Sequence, residues 1–157
     1  PISAALVLQA LMTANRYEQY AELRAWDTRL CRVGGSLDLT ASVLVLDRYW
    51  ISGFSYGVAD GLDLAWLLEV HAALPLAHHV VIDVDPAEAL RRRPEARDCY
   101  ERDREKQARV RELYQGVVRD PPEALRGRVH GVDGAGTVGE VAGRVWGVVE
   151  VLIRAGE

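Results

Sequence analysis

Methionine and phenylalanine each occur once among the 157 residues, and cysteine only twice. Cys31 and Cys99 lie far apart, outside any C-x-x-C or histidine-containing ligand pattern, which speaks against a disulfide framework or a zinc site and fits reduced thiols. No stretch approaches the ~20 apolar residues that would span a bilayer, and no basic, apolar, small-residue sequence opens the chain as a signal peptide would. A cytoplasmic protein without membrane partners is expected. There is no surplus of positive charge either: 19 Lys and Arg stand against 23 Asp and Glu, net −4, with a pI near 5.6. That balance argues against general nucleic-acid binding, which depends on displacing counterions with excess cations. What remains, 49% hydrophobic and 27% charged residues, is the composition of a globular domain, one over residues 1–157.

From Ile2 to Trp26 the positions Leu6, Leu8, Leu11, Met12, Tyr20 and Leu23 predict a long helix with one buried apolar face. Gly34 and Gly35 break the pattern. Ser42 to Leu46 reads as a buried parallel strand that delivers Asp47, Arg48 and Tyr49 at its carboxyl end. After a glycine-punctuated stretch from Gly53 to Gly61, a second helix runs from Leu62 towards Pro75, and His79 to Val84 reads as a second strand. Asp85 and Pro86 supply an N-cap and a first-turn proline for a helix ending in Arg91, Arg92 and Arg93. A mostly polar helix over Asp98 to Val118, a strand over Arg128 to Val132 and a helix over Val138 to Ile153 complete the order. Helices alternating with apolar strands predict an α/β domain with a parallel sheet flanked by helices, its ligands outside the carboxyl ends of the strands.

Chemistry is sought among the polar groups at that edge. Asp47 and Arg48 place an acid beside a bidentate anion binder, where the carboxylate could hold a Mg²⁺-bound water and the guanidinium a phosphate; the alternative is an ion pair at a strand end. Arg16 is a second phosphate candidate or a solvated helical arginine. Arg91, Arg92, Arg93 and Arg97, interrupted by Pro94, suit a loop closing over phosphates, or else a solvated basic face. His78 and His79 lack further ligands at metal spacing and read as loop residues. Ser52 and Ser55 lack a G-x-S-x-G setting. Gly131 to Val138 lies between strand and helix like a phosphate loop, but Thr137 stands in place of the lysine and Val138 in place of the hydroxyl. Only a weak amide nest is left there.

Together these residues resemble the thymidylate kinases. Met12-Thr13-Ala14-Asn15-Arg16-Tyr17-Glu18 is similar to that family's ANRxE helix segment, and Leu46-Asp47-Arg48-Tyr49 with the residues through Tyr56 resembles its DRY signature. Gly61-Leu62-Asp63-Leu64-Ala65-Trp66-Leu67 resembles its GLDLxWL segment, Val81 to Val84 the strand before its lid, the arginine run the lid itself, and Asp98 to Glu101 the region after it. The resemblance implies a P-loop nucleoside monophosphate kinase fold, a homodimer, and phosphoryl transfer from MgATP to dTMP. Arg16 and Arg48 would then clamp the dTMP phosphate, with Asp47 near Mg²⁺ and the attacking oxygen. Met12, Tyr49, Tyr56 and Tyr100 would surround the nucleotide, Arg93 and Arg97 would act from the lid, and Arg92, Asp133 and Gly134 would lie on the ATP side. Three features depart from the family. Met12 replaces a Phe that stacks on the base, which leaves another deoxynucleotide open as acceptor, and Gly57 stands where Gln is common. No G-x-x-x-x-G-K-[ST] occurs. Because the chain opens at Pro1 in the body of a helix, a preceding segment with the phosphate loop and first strands is expected; without it the chain would be a nucleotide-binding or oligomeric module.

Overall fold

Ser3 starts the first helix, α1 (Ala4–Glu18), its hydroxyl accepting the Leu6 amide proton at 3.1 Å. The computed structural model describes residues 3–30, 43–92 and 103–155, and the chain divides into two units, Pro1–Ala77 and His78–Glu157. In the first unit α1 is followed by α2 (Tyr20–Leu30), α3 (Trp50–Ala59) and α4 (Leu64–His71). A turn at Gln19 therefore divides the long helix expected over 2–26. Just before that turn the Tyr17 hydroxyl donates to the Val70 carbonyl at 2.9 Å, fastening the end of α1 to α4.

The helix α3 was not foreseen. Its glycines look like loop signals in sequence, yet they are points of close approach between α3 and α4. A Cβ on Gly57 would meet Leu67 Cδ1 at 2.8 Å, and one on Gly53 would meet His71 Nε2 at 3.3 Å. With no side chains at 53 and 57, Trp50, Ile51, Phe54, Leu67 and Leu74 form the core of this unit. Gly61, at φ +84°, turns the chain after α3, and Asp63 then caps α4 by accepting the Trp66 amide proton at 2.8 Å.

Two expectations for this unit need correction. Residues 43–46 form no strand and are exposed, Val45 to 85%. A strand needs a hydrogen-bonding neighbour, and the only strands among the described residues pair with each other in the second unit. The expected apolar face of α1 is also inverted. Gln9, Thr13 and Arg16 are buried, while Val7, Leu8, Leu11 and Met12 are exposed. The polar stripe turns inward because Arg16 is tied to groups on the α3–α4 side.

In the second unit β1 (His79–Asp83) and β2 (Val129–Asp133) run parallel, in register from His79 opposite Val129 to Asp83 opposite Asp133. Helix α5 (Pro86–Arg92) follows β1, with Asp85 accepting the Ala87 amide proton. Helix α6 (Arg104–Arg119) is capped by Asp103 and packs its buried Val110 side towards both strands. Helix α7 (Val138–Ala155) follows β2. It too departs from expectation, since Val138 and Trp146, assigned to its apolar stripe, are exposed. The observed architecture is thus mostly helical α/β with a two-stranded parallel sheet.

Leu67 is completely buried against Gly57. Leu67→Ala should cost about 2–5 kcal/mol of stability, read by urea unfolding. A loss below about 1 kcal/mol would contradict this account of α3–α4 packing.

Candidate functional site

The bend at Asp47-Arg48 leads directly into α3. Arg48 has φ +59°, the only non-glycine residue at positive φ among the described residues. Holding an L-residue there costs about 1–2 kcal/mol, a strain that tends to persist where surrounding contacts fix a functional group. The Arg48 guanidinium carbon lies 5.5 Å from the centroid of the Tyr56 ring, a cation–π contact between the bend and the middle of α3. Asp47 is exposed. No group of three metal-ligating side chains occurs among the described residues.

Arg16 reaches the same bend from α1. Its Nη2 donates to the Tyr49 carbonyl at 3.2 Å, the residue next to Arg48, and its Nη1 lies 2.8 Å from His71 Nε2. The Tyr49 hydroxyl in turn donates to the Pro75 carbonyl at 3.1 Å, which anchors the backbone that Arg16 holds. Arg16 is only 9% exposed, and no carboxylate pairs with it among the described residues. Burial lowers its pKa from the ordinary value, opposed by the charge interaction with Tyr49. A buried cation that among the described residues meets a carbonyl and an imidazole, both neutral, is suited to an anionic ligand. Met12 sits one turn before Arg16 on α1, half exposed.

The unit therefore brings Arg16, Arg48, Tyr49 and Tyr56 together around one bend. Arg93, Arg97 and Tyr100 lie outside the described residues. In the second unit, Arg92 donates from Nε to Glu88 at 2.6 Å and from Nη2 to the Gly136 carbonyl at 2.7 Å, so it rests on the turn that holds Asp133 and Gly134. Three amides of that turn are bonded within the unit. The Gly134 amide donates to the Asp83 carbonyl, the Ala135 amide to Asp133 Oδ1, and the Thr137 amide to Glu140 Oε2, while Arg144 donates to the Ala135 carbonyl. Thr137 and Glu140 form a reciprocal capping box for α7, which explains a threonine at this position. Gly134 is required by close packing, since a Cβ would lie 2.8 Å from the Asp83 carbonyl oxygen.

Over 114 residues the chain is 32% identical to a probable thymidylate kinase of Pyrobaculum calidifontis, a match that takes in 69% of this chain and 54% of that protein. The chain belongs to the thymidylate kinase family. It spans about half the length of that curated relative. No family model matches it. Among the described residues no helix is long and apolar enough to cross a membrane.

Sequence reasoning missed His71 and Gln9 and gave no part to Thr13 or Ser55, all four buried polar residues of this thymidylate kinase relative. The available signal for His71 was a histidine ending a helix, Leu64 to Val70, that is apolar except for Glu69. His79, read both as the start of a strand and, with His78, as a loop residue, is the buried first residue of β1. Burial holds the His71 pKa below the ordinary imidazole value. It lowers His79 to about 4, with His78 and His130 contributing. The unfolded chain would protonate both histidines near pH 6.5, so the stability gained by keeping them neutral is present above that pH and is lost as the pH falls. The Asp83 carboxylate, lowered by its hydrogen bond to Arg111, adds a loss of the same sign in more acidic solution. Urea unfolding should show a constant free energy above about pH 7 and a fall on the order of 2 kcal/mol by pH 5. A flat or rising profile over that interval would contradict the neutral assignment.

Proposed function

We propose that this chain carries the acceptor half of a dTMP kinase, which binds the phosphate of dTMP for conversion to dTDP. The observation that carries the reading is Arg16, a buried guanidinium whose partners among the described residues are both neutral, fastened to the backbone beside the strained Arg48. A nucleotide monoester supplies the missing negative charge. With Arg16 and Arg48 on its oxygens, the phosphate is neutralised and oriented, which is most of what a protein contributes to phosphoryl transfer. Tyr49 supports this grip through its carbonyl, and Tyr56 holds Arg48 from below. Met12 and Tyr100 are proposed to flank the base and sugar, and Asp47 to lie near the attacking oxygen and a Mg²⁺-bound water. Arg93 and Arg97 are proposed to reach the transferring group.

The remaining assignments follow from family membership: a P-loop kinase fold for the domain over 1–157, a homodimer, and MgATP as donor, with Arg92, Asp133 and Gly134 on its adenine side. The residues present do not by themselves fit the ATP phosphates. Lys106 is the only lysine in the chain and sits in the first turn of α6, and three amides of the 133–137 turn are already bonded within the protein. The same observation favours a second reading, a kinase-like module that binds nucleotide without transferring phosphate.

ADP release by the complete gene product in MgATP, with dTMP, dUMP, dCMP and dGMP compared as acceptors, separates these readings. Turnover dependent on dTMP is expected; dTMP binding without turnover supports the second reading, and preference for another acceptor moves the base assignment. Arg48→Gly should leave the fold as stable as the parent, because glycine accepts positive φ, while costing about 3 kcal/mol of transition-state stabilisation. Unchanged turnover would remove Arg48 from the site.

A further inference from the structure

His71 has no assigned part in nucleotide binding, yet it is the most completely enclosed polar side chain among the described residues of the first unit, with none of its surface exposed. Its ring packs between Trp50, 5.9 Å between centroids, and Phe54, met edge-on at 5.8 Å. Gly53 closes a further side: a Cβ there would crowd His71 Nε2 and approach Arg16 Nη1 at 3.6 Å. An arginine can only donate, so in the 2.8 Å contact with Arg16 the Nε2 atom must accept. The ring proton then belongs to Nδ1, which donates to the Leu67 carbonyl at 2.7 Å, one helical turn back along α4. Both nitrogens are thereby assigned, and the imidazole is neutral. Tyr49's carbonyl fixes the neighbouring Nη2 of the same guanidinium. Two acceptors on Nη1 and Nη2 determine the rotation of the guanidinium plane. Its remaining donors meet no other described residue.

We propose that His71 is a positioning residue for the nucleotide site, a buried neutral acceptor that aims Arg16 at the phosphate of the bound monoester. This rests on the dTMP reading above and extends it to a residue that does not touch the ligand. A carboxylate in the same place would orient Arg16 equally well but would cancel the charge that the phosphate needs. A neutral histidine orients the guanidinium and leaves its charge for the ligand. The Trp50, Phe54 and Gly53 enclosure keeps the imidazole from turning away.

Two measurements test this. In the unmodified chain, ¹⁵N-resolved imidazole NMR at pH 6 should find His71 neutral with its proton on Nδ1; a proton on Nε2, or a charged ring, overturns the proposal. Calorimetric titration with dTMP should then show binding weakened roughly tenfold or more in His71→Phe, which keeps the ring volume and removes the acceptor, and largely restored in His71→Gln. In an Arg16→Ala background the His71→Phe change should have no further effect, because the residue acts through Arg16. A chain that binds dTMP equally well with His71→Phe overturns the positioning role alone. An unmodified chain that binds no dTMP overturns the site reading and this role with it. Circular dichroism of each variant checks the fold, and the NMR assignment stands whichever variants fold.

Discussion

A buried guanidinium with no carboxylate partner among the described residues is the constraint around which the first unit is arranged. Arg16 needs acceptors, and the fold supplies two neutral ones, the Nε2 of His71 and the carbonyl of Tyr49. To meet them α1 turns its Gln9, Thr13 and Arg16 stripe inward and leaves Val7, Leu8 and Leu11 exposed. α3 approaches α4 through Gly53 and Gly57, and this proximity encloses the imidazole. Burying such a charge without a described carboxylate beside it is costly, and a bound anion would offset that cost. In a thymidylate kinase relative, a nucleotide phosphate is the simplest candidate.

The bend beside Arg16 shows the same bias. Arg48 occupies a backbone conformation that glycine would adopt at lower cost, and its side chain is held over Tyr56. Strain accepted at a position whose side chain is a cation indicates that the guanidinium matters more than the backbone preference. The second unit handles its charges differently. Asp83 is matched by Arg111 and Gln115, Glu88 by Arg91 and Arg92, and Glu140 by Thr137, so these three carboxylates are satisfied within the unit. The turn after β2 resembles a phosphate loop in sequence, but three of its amides are bonded within the unit, to the Asp83 carbonyl, Asp133 and Glu140.

Legibility from sequence followed the physics of each element. The strands at His79 and Val129, and the caps at Asp85 and at the start of α4, α6 and α7, are local in origin, and the two strands and the Asp85 cap were read to within a residue or so. α3 was missed because its glycines serve packing against α4, a tertiary fact that looks like a loop signal along the chain. The face of α1 was misread because an apolar stripe normally marks the core, whereas here a polar stripe is required by Arg16. The expected strand at 42–46 failed at its described residues, 43–46, for want of a pairing partner. Arg16, Arg48, Tyr49 and Tyr56 were legible through their motifs; His71 was not, because its role exists only through contacts 55 residues apart in the chain.

Ligand-dependent thermal melting tests the placement of Arg16 most directly, with dTMP compared against thymidine in the parent chain and in Arg16→Met. If the buried guanidinium awaits the phosphate, dTMP raises the melting temperature of the parent, thymidine raises it far less, and Arg16→Met responds to neither beyond that small nucleoside effect. An equal dTMP-induced rise in the parent and in Arg16→Met would contradict it.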